Sequence, residues 1–393
     1  MTVAAKIEEF ISRASMIRRM FEEGLELKKQ YGPQNVFDFS LGNPDVPPPA
    51  AFKNELRRVL AEDAPAMHSY MPNAGYPETR QAVAQYLSRI LGKEMTMDHL
   101  VMTCGAGGAL NVIFKTLLDP GDEVLVPMPC FVEYAFYADN AGGVLKYVGT
   151  DDDFSLDLNA MEAAITEKTK AVMINSPNNP TGRVYDEQAI FGLAAILRRK
   201  SRQYNRTIYL VSDEPYRDLV YDDVKVPSIF QAYANSILAT SYSKTLSLAG
   251  ERIGYLAVNP DLEDGEMVMN GLVLSNRILG FVNAPALMQR VVGRLQGMTV
   301  DVDVYRKKRD LLCNGLIEAG YDVLKPEGAF YLFPKTPIHD DVAFVHALKK
   351  RRILTVPGSG FAGPGHFRIA YCVNDVTIVN ALAGFAETMR DYR

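Results

Sequence analysis

The chain has 393 residues, 48% apolar and 23% charged, with a formal net charge of -5. This length suits two or three domains, or one large α/β domain with a smaller companion, and the apolar share is that of a globular protein, neither disordered nor fibrous. The acidic balance argues against nucleic acid or an anionic membrane as partner and leaves small molecules, while four scattered cysteines without a C-x-x-C pair suggest neither a disulfide framework nor a zinc site.

The start, M-T-V-A-A-K-I-E-E-F, has acidic residues where a signal peptide needs a continuous apolar segment, and no charge-free apolar run long enough to span a bilayer follows, so a cytoplasmic protein is expected. Ile7, Phe10, Ile11, Ala14, Ile17 and Phe21 recur at helical spacing and predict one amphipathic helix from about Ile7 to Lys29. F-D-F-S-L-G-N-P-D-V-P-P-P then reads as a strand running into a proline-rich connection, a plausible domain boundary. Pro77 to Leu91 has a helical pattern, and L-V-M-T-C-G-A-G-G-A-L reads as strand, glycine turn and helix.

E-V-L-V, G-V-L-K-Y-V, K-A-V-M-I-N, T-I-Y-L-V-S-D-E and Ile237 to Thr240 look like further strands, with helix-like segments between most of them. Such alternation means a largely parallel sheet covered on both faces. After Asn283 the texture changes to a long helix over Ala284 to Leu316, broken near Met298, then the short strands A-F-Y-L-F-P, R-I-L-T-V-P and H-F-R-I-A-Y, and a closing helix from Asp375 to Met389. The expected fold class is α/β: a large domain over residues 51–283 with a mostly parallel sheet sandwiched by helices, and a smaller, discontinuous α+β domain from residues 1–50 and 284–393.

In open α/β sheets ligands sit beyond the carboxyl ends of the strands, so the polar residues there are the candidates. Gly105, Ala106, Gly107 and Gly108 lie between a strand and a helix, where free backbone N–H groups suit a phosphate; a plain tight turn is the alternative. S-P-N-N-P-T-G-R-V follows K-A-V-M-I-N, and its prolines fix a backbone from which Asn179 can project an amide; a rigid Asx-type turn is the alternative. Asp213 ends an apolar strand, where a carboxylate costs free energy unless a cation meets it, with a helix N-cap as the alternative; Tyr216 follows three residues on, and a buried tyrosine is usually core. S-Y-S-K-T-L-S-L-A-G-E-R-I-G-Y sets Lys244 among small residues with Arg252 close behind, the setting for an amine whose neutral, nucleophilic form is accessible.

Together, Lys244, Arg252, Asp213, Tyr216 and Asn179 resemble the set found in fold-type I pyridoxal-phosphate enzymes, within them the class I/II aminotransferases of the aspartate aminotransferase superfamily. The resemblance runs from about Phe37 to near the C-terminus and rests on N-N-P-T-G and S-x-S-K-x-x-x-x-x-G-x-R-x-G. It implies the type I pyridoxal-phosphate transferase fold, pyridoxal 5'-phosphate as cofactor and no metal. Lys244 is then the Schiff-base lysine and proton carrier, Asp213 the partner of the pyridinium nitrogen, and Tyr216 and Asn179 donors to the ring oxygen. Ser241, Arg252 and the turn Gly105, Ala106, Gly107 hold the phosphate, and Phe131 stacks on the ring where Tyr or Trp is more familiar.

The resemblance further implies that Arg368 grips the substrate α-carboxylate, that Gly42 lines the substrate pocket, and that Tyr70 reaches the cofactor phosphate of a neighbouring subunit, so that the working unit is a homodimer with shared active sites. The implied reaction moves an amino group between an L-amino acid and a 2-oxo acid by a ping-pong cycle, with an aspartate/2-oxoglutarate pair as the finer expectation. A β-eliminating lyase and a non-catalytic sensor of the cofactor or an amino acid are the alternatives. Arg277, in L-S-N-R-I-L-G-F-V-N-A-P, is placed to read a distal carboxylate across the dimer, or else it lays its stem over apolar surface; Arg18 or Arg19 is the substitute if the first helix covers the pocket.

Overall fold

The computed structural model describes residues 2–13, 15–62 and 65–392, with the backbone alone for residues 12–13 and 15–21. Its strands are β1 (Phe37–Asp38), β2 (Leu100–Thr103), β3 (Glu123–Pro127), β4 (Val144–Val148), β5 (Thr169–Asn175), β6 (Tyr209–Asp213), β7 (Ser236–Ser241), β8 (Gly254–Val258), β9 (Tyr331–Leu332), β10 (Ile353–Leu354), β11 (Val356–Pro357) and β12 (Phe367–Ala370). Seven of them form one sheet in the order β2-β8-β7-β6-β5-β3-β4. Within it β8 runs antiparallel to both β2 and β7, while the pairs among β3 to β7 are parallel.

The near-continuous apolar character of these strands follows from burial on both faces. Leu210, Val172, Ile174 and Leu238 point into one core, whereas Val211, Ala171, Met173, Ile237 and Ala239, their neighbours along the strands, point into the other. The helix Glu187–Tyr204 closes the first face with Ile190, Leu193, Ala194 and Leu197; Asp186 caps its start by accepting from the Ala189 N–H, and Asn205 ends it in the left-handed conformation. The helix Gly105–Leu117 closes the second face with Ala109, Val112, Ile113 and Phe114.

A separate core gathers Phe39, Phe330, Leu332, Phe344, Phe367, Ile369 and Phe385 around the antiparallel sheet β11-β12-β9 and the parallel pair β1-β10. Tyr216 and Leu219, just beyond β6, belong to this core, so the two bodies interlock at the carboxyl end of the large sheet. Among the described residues no helix is long and apolar enough to cross a membrane.

The expected N-terminal helix is helical on both sides of the one undescribed position, over Ala5–Arg13 and Ser15–Tyr31. The two spans answer to different partners: Phe10 meets Phe136 edge-on at 4.8 Å and Lys6 pairs with Asp139, while Lys28 pairs with Asp38 of β1 and Lys349 with Glu23. Arg18 and Arg19 lie outside the residues whose side chains are described. The run from Ala284 forms the helices Ala286–Gly293 and Val302–Ala319, with the expected break around Met298. Met288, Val291 and Val292 of the shorter helix pack in the large sheet's core, and Leu312 and Leu316 of the longer one in the separate core.

One glycine lets β8 run close to the turn that follows β2. A Cβ on Gly254 would stand 2.4 Å from the Thr240 carbonyl oxygen and 2.9 Å from the Gly105 Cα, both rigid backbone atoms, whereas a Cβ on Gly250 meets nothing within 4 Å. Gly254→Ala is therefore expected to destabilise the protein by about 1–3 kcal/mol, the usual range for overpacking. Gly250→Ala should leave the urea midpoint unchanged, and equal midpoints for the two variants would refute the close approach.

Candidate active site

Because β5, β6 and β7 run the same way, their last residues fall side by side, and Asn175, Asp213 and Ser241 line one cleft of about 320 Å³. Lys244 enters from the short helix Tyr242–Thr245 immediately after β7, and Ala106 and Gly107 from the first turn of the helix Gly105–Leu117 after β2. Phe131, Tyr134 and Tyr137 enter beyond β3, Asn179 from the proline-rich turn after β5, Tyr216 from beyond β6 and Arg252 from ahead of β8. The separate core contributes Tyr331 of β9 and Arg368 of β12, and Leu41 and Gly42 come from the loop after β1. Segments far apart in sequence thus meet at the strand ends.

Asp213 is buried, and burial pushes its carboxyl up from the usual 3.8 to about 7 against the opposing pull of a Tyr134 hydroxyl that donates to Oδ2 at 2.6 Å. Its other oxygen, Oδ1, is buried without any hydrogen-bond partner. Among the described residues no cation stands within ion-pairing distance of it. An isolated buried acceptor of this kind is costly to keep, which points to a cationic donor that belongs there.

Half-buried Lys244 shows the complementary effect. Burial lowers its amine to about 8, and the charges of Arg368 and Arg252 push the same way. Near that pH about half of it is the neutral, nucleophilic form. Its Nζ donates to the Gly42 carbonyl at 2.7 Å and lies 5.3 Å from the centre of the Phe330 ring.

Arg368 is buried between the rings of Tyr331 and Phe361, at 4.7 and 4.5 Å, and burial lowers its pKa. Nη1 donates to Asn179 Oδ1 at 3.0 Å and Nη2 to the Ser40 carbonyl at 2.7 Å, while Nε is buried and unpartnered. Tyr216 and Tyr331 share a hydroxyl hydrogen bond of 2.9 Å, and burial raises both phenols, that of Tyr331 to about 12. Gly42 has no room for a side chain, since a Cβ would fall 2.0 Å from the Tyr331 hydroxyl oxygen.

At the other end of the cleft Arg252 is exposed in the left-handed conformation and, among the described residues, donates to the carbonyls of Ala249 and Cys104, at 3.1 and 3.4 Å. Gly105 lies beneath the lining with φ +75°, and a Cβ there would come within 3.0 Å of Arg252 Nη2. That glycine keeps a guanidinium beside the first turn of a helix, a cradle for an anion.

Of the residues singled out from sequence, Gly42, Ala106, Gly107, Phe131, Asn179, Asp213, Tyr216, Ser241, Lys244, Arg252 and Arg368 line this cleft. Tyr70 and Arg277 do not: Tyr70 is 92% exposed, and Arg277 is exposed in the last turn of the helix Gly265–Ile278. Tyr134, Tyr331 and Asn175 line it without having been anticipated. Asn175 Nδ2 donates to the Asp213 carbonyl at 2.8 Å and its Oδ1 accepts from the Asn179 N–H at 2.7 Å, so it fixes two candidates at once. The available signals were slight: Tyr134 stands three residues after Phe131, and Asn175 closes an apolar strand.

The Asp213 carboxyl makes a testable contribution to stability. Because its folded pKa lies above the unfolded one, the stability it contributes is fully present below about pH 4 and is lost as pH rises towards about 7. In the cofactor-free chain Asp213→Asn should therefore gain on wild type over that interval, by up to the order of 4 kcal/mol at roughly 1.4 kcal/mol per pKa unit. Urea unfolding of both proteins at several pH values measures it, and a difference that does not change with pH would mean that the carboxylate is already compensated.

The family model "Aminotransferase class I and II" matches residues 34–385. The chain is similar to the probable aspartate aminotransferase of Methanocaldococcus jannaschii, with 35% identity over 356 residues covering 88% of this chain and 92% of that one. Among solved structures it is similar to an amino transferase from Eubacterium rectale, with 38% identity, coverage of 100% of both chains and a TM-score of 0.97. It also resembles the aspartate aminotransferase of Thermus thermophilus solved with maleate, with 31% identity, coverage of 95% and 96%, and a TM-score of 0.83.

Proposed function

The chain belongs to the class I and II aminotransferases, enzymes that work with pyridoxal 5'-phosphate, and from that premise we propose which of its residues carry the transfer of an amino group between an L-amino acid and a 2-oxo acid. The observation that carries the assignment is the buried, unpartnered Oδ1 of Asp213 in the same cleft as the weakened base Lys244 and the anion cradle at Arg252. These residues fit the cofactor: a carboxylate lacking a cation for its ring nitrogen, an amine for its carbonyl and a guanidinium beside a helix start for its phosphate. When bound, the cofactor supplies a carbonyl that accepts the amino group and a pyridinium ring that absorbs the electron pair left on the substrate α-carbon.

The chain's own groups do the rest. Asp213, held by Tyr134, keeps a proton on the ring nitrogen through Oδ1. Arg252, Ser241 and the Ala106 and Gly107 amides hold the phosphate, with Gly105 making room, and Phe131 covers one face of the ring. Tyr216 and the Asn179 amide donate to the ring oxygen. Arg368 takes the substrate α-carboxylate in a bidentate grip, for which its planar fork and idle Nε suit it. Lys244 Nζ, once free, takes the proton from the substrate α-carbon and returns it in the reverse half of the cycle.

We further propose that the enzyme acts as a homodimer in the cytoplasm. The exposed Tyr70 then reaches the phosphate of the neighbouring site, and a reducing compartment suits the free Cys104, Cys130, Cys313 and Cys372.

Two measurements test this reading. Lys244→Ala should retain cofactor through the phosphate contacts yet lose at least about 10²- to 10⁴-fold in turnover, the usual share of general acid/base action. With an amino acid and no oxo acid, wild type should release one equivalent of oxo acid per site and stop; continuous release of ammonia and pyruvate would make it a β-eliminating lyase.

For the donor, the relatives named for aspartate, one of them solved with maleate, support a dicarboxylic amino acid. The cations lining the cleft are Lys244, Arg252 and Arg368, each already assigned, so a distal carboxylate has to be read from outside it. Arg277 of the neighbouring subunit is the proposed reader. A charge-assisted hydrogen bond is worth roughly 1.5–3 kcal/mol, so Arg277→Ala should lower kcat/KM for aspartate about ten- to a hundredfold and leave that for alanine unchanged. Equal changes for both donors would remove Arg277 from the site.

A further inference from the structure

The loop from Ser40 to Val46 meets the cleft through Leu41 and Gly42 and is held at three points. The Ser40 carbonyl accepts from Arg368 Nη2 at 2.7 Å, the Gly42 carbonyl accepts from Lys244 Nζ at 2.7 Å, and the Asp45 carboxylate pairs with Lys308 Nζ. The first two are made by side chains that the proposed reaction recruits. The third is independent of the chemistry. Lys308 lies in the helix Val302–Ala319 of the separate core, its side chain only 6% exposed, and its other acidic neighbour, Asp375, is 3.9 Å away. Close by, the Val46 N–H donates to the hydroxyl of the buried Tyr305 at 3.5 Å.

We propose that Asp45 and Lys308 are positioning residues, an ion-paired tether that holds the Gly42 carbonyl where it receives the freed Lys244 amine. A primary amine that is to take a proton from carbon must present its lone pair to that carbon, so its N–H bonds need fixed acceptors elsewhere. The Gly42 carbonyl is such an acceptor, and it cannot adjust locally, since the Tyr331 hydroxyl fills the space beside its Cα. The Gly42 carbonyl therefore goes where the loop goes. A buried lysine whose close carboxylate partner is Asp45 is a firm anchor, because removing that partner leaves the buried charge to the distant, exposed Asp375 alone. The same separate core carries Arg368, so the tether ties the amine's acceptor and the α-carboxylate grip to one body.

The inference rests on Lys244 as the proton carrier, and its test reads the tether separately from that assignment. Asp45→Asn keeps the shape and removes the charge. In the holoenzyme its kcat should fall about 10- to 100-fold, the cost of a misplacement near 1 Å, with the donor KM within about threefold of wild type. In the full chain freed of cofactor, reductive methylation of Lys244, followed by mass spectrometry against the exposed Lys29, should run several-fold faster than in wild type. Asp45→Glu, which keeps the charge, should return both readouts towards wild type, and Lys308→Arg should do the same from the other side. Methylation of Lys244 at the wild-type rate in Asp45→Asn overturns the proposal even if kcat falls, since the pair then serves stability alone; an unchanged kcat overturns it as well. Failure of the proton-carrier assignment shows up elsewhere, as turnover surviving in Lys244→Ala.

Discussion

Asp213 ends a strand buried on both faces, and the chain places there a carboxylate with one hydrogen bond and one bare oxygen. That arrangement works against the stability of the protein by itself: burial of the ionised form is so unfavourable that the carboxyl is pushed up to about 7. The fold tolerates it because two cores on either face of the sheet hold β6 in register with β5 and β7. A group kept in such a state is useful only to a partner that brings the missing cation. The neighbouring residues are positioned with respect to that partner.

The same economy governs the bases. Lys244 and Arg368 are weakened chiefly by burial, and the charge of Arg368 further disfavours the charged form of Lys244. Arg368 keeps one buried nitrogen idle between two aromatic rings, a second incomplete group in the same cleft. Incomplete polar groups at one site, inside a protein whose other buried groups are mostly satisfied, mark where binding energy remains to be gained. Arg252 differs: it stays exposed, which suits the proposed anion cradle, where an anion with several oxygens needs donors that are free to turn towards it.

The site is also a joint. Arg368 comes from the separate core and bonds Asn179, which belongs to the turn after β5, across 189 residues of sequence. The loop after β1 lies over both, giving one carbonyl to Arg368 and one to Lys244. In the proposed reaction, substrate that engages Arg368 and frees Lys244 acts on the contacts by which the two bodies hold each other, a physical route from binding to closure.

Local strings made much of this legible before any coordinates. S-P-N-N-P-T-G-R-V and S-Y-S-K-T-L-S-L-A-G-E-R-I-G-Y place Asn179, Ser241, Lys244 and Arg252 because their roles depend on short spacings after a strand, and alternation of strands and helices fixes a mostly parallel sheet whose carboxyl edge collects them. Tyr331, Tyr134 and Asn175 were not legible: their roles arise from contacts at separations of 115, 79 and 38 residues, and nothing in A-F-Y-L-F or P-C-F-V-E-Y distinguishes a site tyrosine from a core one. The run Tyr255–Val258 is apolar at every position, so neither its pairing nor the reversed direction of β8 shows in its pattern. Sequence by itself determined a mostly parallel sheet, the candidate lysine and the candidate anion turn, since these follow from neighbours along the chain; the tertiary structure alone decided the course of β8, which polar atoms are left unpartnered and how far each acid and base is shifted, since burial and long-range contact set all three.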